Sequence, residues 1–383
     1  MKFMPLFKNK VWGGNKIKTL GFDYDPLPNC GELWALSGVG DNTSYVVNGF
    51  LAENTLNEVL EIYMGELVGE RNYLRFGDEF PLLFKLIDAA DKLSIQVHPD
   101  DTLARRRGME NGKTEMWYIL EAEPGAELVD GFDQELDREA YRQALEGGHL
   151  ESLLHVEHPQ PGDTFFIPAG RVHAIGKGLL LAEIQQSSDC TYRIYDYNRP
   201  DSDGKMRELH TAEALDAIDF SAVADGRTHY TYTDNATVQL AECPYFTTNL
   251  IALRATETNP TASLRKNFAD LDSFVVYFCV DGIAAVRTLD TVCPIHAGEC
   301  VLVPAIAEEV ELYAEGAAKL LEVYIDPAQY GDDELLHKDD RDWLAQFMDN
   351  AEGLLDDEAN DHCHEDGCDC GHEHHDHCHC HHD

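Results

Sequence analysis

Two stretches of the chain repeat one another closely enough to constrain its architecture. Gly162-Asp-Thr-Phe-Phe-Ile-Pro-Ala169 and Gly298-Glu-Cys-Val-Leu-Val-Pro-Ala305 share a glycine, an acid, three residues, a β-branched residue, Pro and Ala in the same register. A turn glycine that opens a short strand ended by proline is the recurring edge of a jelly-roll hairpin. The repeat therefore predicts two copies of one β unit. Strand-like runs with turn signals fill 81–220 and resume from about 226 to 326. Helical spacing of Leu136, Ala140, Tyr141, Ala144 and Leu145 breaks the pattern within 133–154 and predicts a helix of about three turns. Shorter helices are expected over 55–61, 101–107 and 211–218, the last with Thr211 as cap and a stripe of Ala214, Leu215 and Ile218. The expected class is all-β with helical insertions.

Metal-competent side chains fall on these strands. In Leu93-Ser-Ile-Gln-Val-His98, alternation sends Leu93, Ile95 and Val97 one way and Ser94, Gln96 and His98 the other. Glu115 opens a second strand-like run over 115–120, and His173 follows the first copy of the repeat. Two imidazoles, a carboxylate and an amide oxygen suit Zn2+ or another borderline divalent ion. Each residue also has a plainer reading. A lone strand histidine is more often hydrogen-bonded structure, and a lone glutamate is more often a solvated strand end. Spacing alone leaves both open.

The second copy lacks this chemistry. Four residues past Ala169 comes His173, whereas four past Ala305 comes Glu309, and Phe274-Val-Val-Tyr-Phe278 holds no histidine. Asp272 stands about where Glu115 precedes its own strand, but one carboxylate makes no site. The second unit is expected to be structural.

Charge excludes several partners. The net charge is −42, and from Ala328 to Asp383 there are 18 acids against Lys338 and Arg341 alone. Nucleic acid and anionic membranes both require basic patches, so neither is an expected partner. An anionic substrate then needs locally concentrated positive charge. There is no apolar run long enough to span a bilayer, and Met1 to Asn15 has no apolar signal-peptide core, so a cytoplasmic protein is expected. Cys30, Cys190, Cys243, Cys279, Cys293 and Cys300 are scattered through the body and read as reduced, buried or half-buried thiols.

Several motifs in order carry a resemblance. They are Trp12-Gly-Gly14, Gly31-Glu-Leu-Trp34, Gln96-Val-His-Pro-Asp-Asp101 and Gly112-Lys-Thr-Glu115. They continue as Phe166-Ile-Pro-Ala-Gly-Arg-Val-His-Ala174, Ala182-Glu-Ile-Gln-Gln186 and Thr191-Tyr-Arg-Ile-Tyr-Asp196. Over roughly 1–327 the chain resembles the type I mannose-6-phosphate isomerases, most closely their short bacterial form.

The resemblance implies two cupin-type jelly rolls: a catalytic domain with helical insertions at 1–225 and a metal-free domain at 226–327. It implies a zinc-dependent aldose-ketose isomerase that moves a proton between C1 and C2 through an enediolate. It places one catalytic Zn2+ on Gln96, His98, Glu115 and His173, with Gln96 the weakest ligand because its amide is neutral. It assigns Arg193 to catalysis, to hold phosphate or oxyanion with a guanidinium that stays charged. Lys113 shares the parity of Glu115 and suits a phosphate or substrate hydroxyl, and Ser94 can bond phosphate. Glu183, in Leu179-Leu-Leu-Ala-Glu-Ile184, is either a paired structural charge or a proton-transfer group of raised pKa. Metal-bound water and Lys113 are the other candidates for the base. An iron dioxygenase shares the ligand set, and a non-catalytic sugar-phosphate sensor or metal store is a third reading. The dioxygenase gives Lys113, Arg193 and Trp12-Gly-Gly14 no purpose, and the intact ligand set with Arg193 speaks against an idle site.

After an acidic linker at 328–360, residues 361–383 contain nine His, five Cys and no apolar core former, and cannot fold alone. They lie beyond the resemblance. A purification tag leaves the interleaved Cys unexplained, and a solvated acidic tail leaves the thiols unexplained. Cys-x-Cys and His-x-His repeats point instead to a tail that binds Zn2+ or softer metal ions and possible contacts with metal-handling proteins.

Overall fold

The structure is a computed structural model that describes residues 1–201, 204–258, 260–289 and 291–330. The tail at 361–383 and nearly all of the acidic linker lie outside the described residues. Among the described residues no helix is long and apolar enough to cross a membrane.

The chain is all-β with helical insertions, as the repeat predicts. The first unit supplies Leu6–Lys8 (β1), Glu32–Leu36 (β2), Leu82–Ala89 (β3), Ile95–Val97 (β4), Glu115–Ala122 (β5) and Leu128–Phe132 (β6). Leu154–Glu157 (β7), Thr164–Ile167 (β8), His173–Ile175 (β9), Leu179–Gln186 (β10) and Tyr192–Tyr195 (β11) follow. One sheet runs β1-β2-β3-β10-β5-β8 and the other β11-β4-β9-β6-β7, which is the two-sheet cupin arrangement. The second unit contributes Thr237–Cys243 (β12), Phe246–Arg254 (β13), Thr261–Asn267 (β14) and Val275–Thr288 (β15). It continues with Thr291–His296 (β16), Cys300–Val303 (β17), Glu309–Glu315 (β18) and Ala317–Tyr324 (β19). These pair in the order β12-β13-β19-β15-β18-β14, with β16 and β17 also on β15.

Register confirms the repeat and corrects one detail. Ile167 of β8 pairs with Glu115 of β5, and Val303 of β17 pairs with Val275 of β15. Because Ile167 and Val303 are the β-branched residues of the two copies, Val275 holds the place of Glu115. Asp272 does not. Its backbone has φ +48°, and its carboxylate accepts N–H bonds from Glu70 and Arg71 at the start of a helix.

The central strands β3 and β10 are buried along their whole length, so they read as near-continuous apolar runs. Alternation still separates two faces. Phe84, Leu86, Met116, Tyr118, Leu180, Ala182 and Ile184 join Phe274, Val276 and Phe278 of the second unit in one shared core. Phe84 meets Phe278 edge-on at 6.2 Å, and Phe80 lies 4.9 Å from Phe274. Each such side chain contributes about 1.5–3 kcal/mol by leaving water. The opposite face carries Lys85, Glu115, Trp117 and Glu183, which places these four polar side chains together.

Helices form at Leu56–Val68 (α1), Glu70–Phe76 (α2), Asp101–Arg106 (α3), Arg138–Glu146 (α4) and Thr211–Ala217 (α5). Asp137 caps α4 through the N–H of Ala140, and Tyr141 and Ala144 are its buried stripe. The capping expectation for Thr211 fails, because the N-cap position is His210 and no side chain bonds there. The stripe of Ala214, Leu215 and Ile218 does pack inward. None of the six body cysteines forms a disulfide; four are buried and two half-buried.

Candidate metal centre and substrate cavity

Strand pairing brings the ligand-bearing segments together. Gln96 on β4 pairs directly with His173 on β9, and Glu115 opens β5 beside Gln185 of β10. The strand expected over 93–98 is regular only at Ile95–Val97. Ile95 and Val97 turn into one core cluster, but Leu93, expected on their side, joins another and reaches the cavity with Ser94 and Gln96.

His98, Glu115 and His173 are fully buried, and their ligand atoms all lie within 4.8 Å of one another. Glu115 Oε2 is 3.5 Å from His98 Nε2, and Glu115 Oε1 is 3.4 Å from His173 Nε2. The far ring nitrogens are engaged elsewhere. His98 Nδ1 bonds the carbonyl of Cys190 at 2.8 Å, and His173 Nδ1 bonds the carbonyl of Arg171 at 2.8 Å. A carbonyl only accepts, so each Nδ1 carries the proton and each Nε2 turns its lone pair toward Glu115. Burial pushes both imidazoles toward the neutral form, with Lys113 adding to the effect at His98, whose pKa lies well below its ordinary value. His98 Nε2 and Glu115 Oε1 have no hydrogen-bond partner. Buried acceptors left unbonded are costly, and two neutral imidazoles facing a carboxylate are the donor set a divalent cation satisfies. The residues present fit such an ion. Gln96 Nε2 lies 3.1 Å from His173 Nε2, so a half-turn of the amide would present its oxygen to the same point. Among the described residues no other such cluster forms.

Beside this cluster, reached through Gln96 and Lys113, lies a cavity of about 450 Å3. Lys8, Lys10, Lys85, Lys113, Arg193 and Arg207 line it against Glu32, Glu183 and Asp189. In a strongly acidic chain this is the concentrated positive charge that an anionic substrate needs. Lys113 is buried and lies 2.8 Å from Glu115 Oε2. Burial alone lowers its pKa, but Glu115 and Glu183 reverse the shift and keep the ammonium charged. Arg193 sits beside Gln96 in the β11–β4 ladder, and its Nη1 donates to the carbonyl of Glu208 at 2.8 Å. Its Nε is buried without a partner. Burial, then nearby Arg207, lowers its pKa. Strand alternation puts Thr191, Arg193 and Tyr195 on one side, and Thr191 does share the cavity with Arg193. Tyr195 stacks edge-on with Tyr197 instead, past a register shift that ends the alternation.

Glu183 is a paired charge. Its Oε1 accepts from Lys85 Nζ at 2.9 Å and its Oε2 from Trp117 Nε1 at 3.1 Å. Burial alone raises its pKa, but Lys85 and Lys113 outweigh burial and hold the carboxyl below its usual range. A raised value, the expectation for a proton-transfer role, is the wrong direction. Lys85 and Glu32 were not foreseen. A lone lysine inside Leu82-Leu-Phe-Lys-Leu-Ile87 was the available signal for the first. Glu32, bonded to Lys10 and to the Trp34 indole, gave none beyond its place in a motif.

A profile for the phosphomannose isomerase type I catalytic domain matches residues 1–125. The chain is 36% identical over 318 residues to the Bacillus subtilis mannose-6-phosphate isomerase ManA, covering 82% of this chain and 96% of that protein. It is 38% identical over 250 residues to the Streptococcus mutans mannose-6-phosphate isomerase, covering 63% and 77%. The crystal structure of the mannose 6-phosphate isomerase from Bacillus subtilis superposes with a TM-score of 0.73 at 31% identity, over 84% of this chain and 98% of that one. The likeness runs nearly the full length of the first of these relatives and of the solved structure, over a fold in which a buried candidate ligand set adjoins a basic cavity through Gln96 and Lys113. This chain belongs to the type I mannose-6-phosphate isomerase family.

Proposed function

We propose that the protein interconverts mannose 6-phosphate and fructose 6-phosphate with one divalent ion, Zn2+, on His98, Glu115, His173 and the weaker Gln96. The observation that carries the reading is a set of three buried, mutually facing ligand atoms that Lys113 and Gln96 connect to a cavity lined by six basic side chains. Family membership supplies the substrate. The chemistry a bound Zn2+ supplies is polarisation of a carbonyl and stabilisation of developing oxyanion charge.

The reaction moves one proton between C1 and C2 of the open-chain sugar through an enediolate, and the charge on O1 and O2 needs fixed donors. Lys113 is one: with Glu115 and Glu183 favouring its charged form, its ammonium donates to a substrate oxygen. Arg193, with one N–H uncommitted, holds the phosphate or the oxyanion, and the Ser94 hydroxyl adds a bond to phosphate. Glu183 acts by fixing Lys85 and by sustaining the charge on Lys113. Residues 1–225 carry the reaction in this reading, and residues 226–327 buttress it through the shared core.

The tail at 361–383 is proposed to bind metal ions through its nine His and five Cys, separately from the catalytic ion. Incubating purified protein with mannose 6-phosphate and following fructose 6-phosphate tests the main reading. No ketose phosphate from metal-loaded protein would reject it and leave a binding role in its place.

A further inference from the structure

We infer that Asp130 is a positioning residue for the ligand His173, acting through Arg171, and that it tunes how tightly the centre holds its metal. The inference rests on the metal reading of His98, Glu115 and His173.

A ligating histidine keeps its orientation only if its second nitrogen bonds a fixed acceptor. For His173 that acceptor is the Arg171 carbonyl, in the short connection between β8 and β9. Among the ties that fix this connection, three concern Gly170, Val172 and the Arg171 side chain. The N–H of Gly131 donates to the Val172 carbonyl at 2.7 Å, and the N–H of Gly170 donates to the His98 carbonyl at 2.9 Å. The third tie is ionic, with Arg171 Nη1 2.7 Å from Asp130 Oδ1.

Asp130 is fully buried and pairs directly with His173 in the β6–β9 ladder, so both side chains lie on one face of the sheet. Its second oxygen, Oδ2, has no hydrogen-bond partner. A buried carboxylate with only one oxygen bonded is a poor stabiliser by itself, because desolvation is only partly offset. Two glycines make room for the pair. A Cβ on Gly226 would stand 1.8 Å from Oδ2, and one on Gly131 would stand 3.0 Å from the Arg171 stem. The chain thus keeps an expensive charge at the one place from which it holds the His173 acceptor in line.

The test measures metal affinity, by competition with a chromophoric chelator after residues 361–383 are removed by proteolysis, in wild type, Asp130→Asn and Arg171→Gln. Melting temperatures of metal-free and Zn2+-loaded protein are read beside it. Positioning predicts a ten- to hundred-fold weaker affinity in Asp130→Asn and a smaller gap between the two melting temperatures. Arg171, being partly exposed, can be replaced if Asp130→Asn fails to fold, and Arg171→Gln should weaken affinity in the same direction. Wild-type affinity in the folded variants, with both melting temperatures lowered equally, makes Asp130 merely structural and overturns the inference. A wild type that takes up no metal overturns the underlying reading instead, so the two failures are distinguishable.

Discussion

Glu183 and Glu322 hold the same place in the two β units. Glu183 on β10 lies between Lys85 of β3 and Trp117 of β5; Glu322 on β19 lies between Asn249 of β13 and Tyr277 of β15. In each, Oε1 accepts from the first neighbour, at 2.9 Å from Lys85 and 3.1 Å from Asn249. Oε2 accepts from the second, at 3.1 Å from Trp117 and 2.9 Å from Tyr277. Lys266 adds a cation to Glu322 at 3.0 Å. The second unit therefore has the same buried carboxylate arrangement, while Val275 stands in the place of Glu115. The arrangement is common to both units, and the candidate ligand set belongs to one.

Tyr277→Phe tests that separation. It leaves Glu322 Oε2 buried without a donor, which costs about 1–3 kcal/mol. Urea unfolding should show this loss, while isomerase turnover per folded molecule stays at the wild-type level. A turnover defect without a stability change would tie the second unit to the reaction and sink the separation.

Glu183→Gln tests the paired-charge reading through pH. The Glu183 carboxyl is depressed in the folded state, because Lys85 and Lys113 outweigh burial. A depressed carboxyl contributes stability above its unfolded pKa of about 4.3 and loses it as pH falls toward the lower folded value. The variant leaves Lys85 without its counter-charge and should unfold more easily at pH 7 by about 3 kcal/mol or more. As pH falls from about 4 toward the folded value of about 2, the two stabilities should converge. Parallel stability curves through the acid limb would show that Glu183 is not the titrating partner.

What the chain revealed and hid follows from the range of the interactions. His98, Glu115 and His173 were legible as candidates because each sits in or beside a short strand-like segment, and the family resemblance singled them out as ligands where spacing left the reading open. Lys85 was hidden because its meaning lies in Glu183, 98 residues away in sequence and opposite it only through register. Helix α2 was missed for the same reason, since the carboxylate that binds its first N–H groups is Asp272, some 202 residues away. The parity argument worked where strands are regular and failed at Leu93 and Tyr195, where a strand had not begun or its register had shifted.

Removing the metal should remove the activity. Extended dialysis against a chelator followed by return of Zn2+ should abolish and restore turnover, with a fall of roughly a thousandfold or more when several kcal/mol of charge stabilisation are lost. Glu115→Gln should behave like the chelated enzyme and resist rescue, because its carboxylate stands between both imidazoles. Full turnover by metal-free protein would dismiss the Lewis-acid role.

Arg193→Ala should lower kcat/KM by about a hundred- to a thousandfold, the usual effect of losing one preorganised donor to developing charge. Arg193→Lys should recover only part of this, because a point charge cannot reproduce the planar fork. The split between constants assigns the contact. A rise in KM alone places the guanidinium on the phosphate, and a fall in kcat alone places it on the oxyanion. Wild-type constants in both variants would remove Arg193 from the reaction.

Deleting residues 361–383 tests the two proposed metal-binding regions separately. The catalytic ligands lie far upstream in the chain, so the truncated protein should keep full turnover when prepared in zinc-replete medium. Its thiols and imidazoles are dense enough to compete for scarce metal, and a local reservoir raises the effective concentration near the site. Under zinc starvation the truncated protein should therefore carry less metal per catalytic site than the full chain, read by elemental analysis after the tail of the full-length protein is removed by proteolysis. Equal occupancy in both media would dispose of the supply role and leave the tail a separate store.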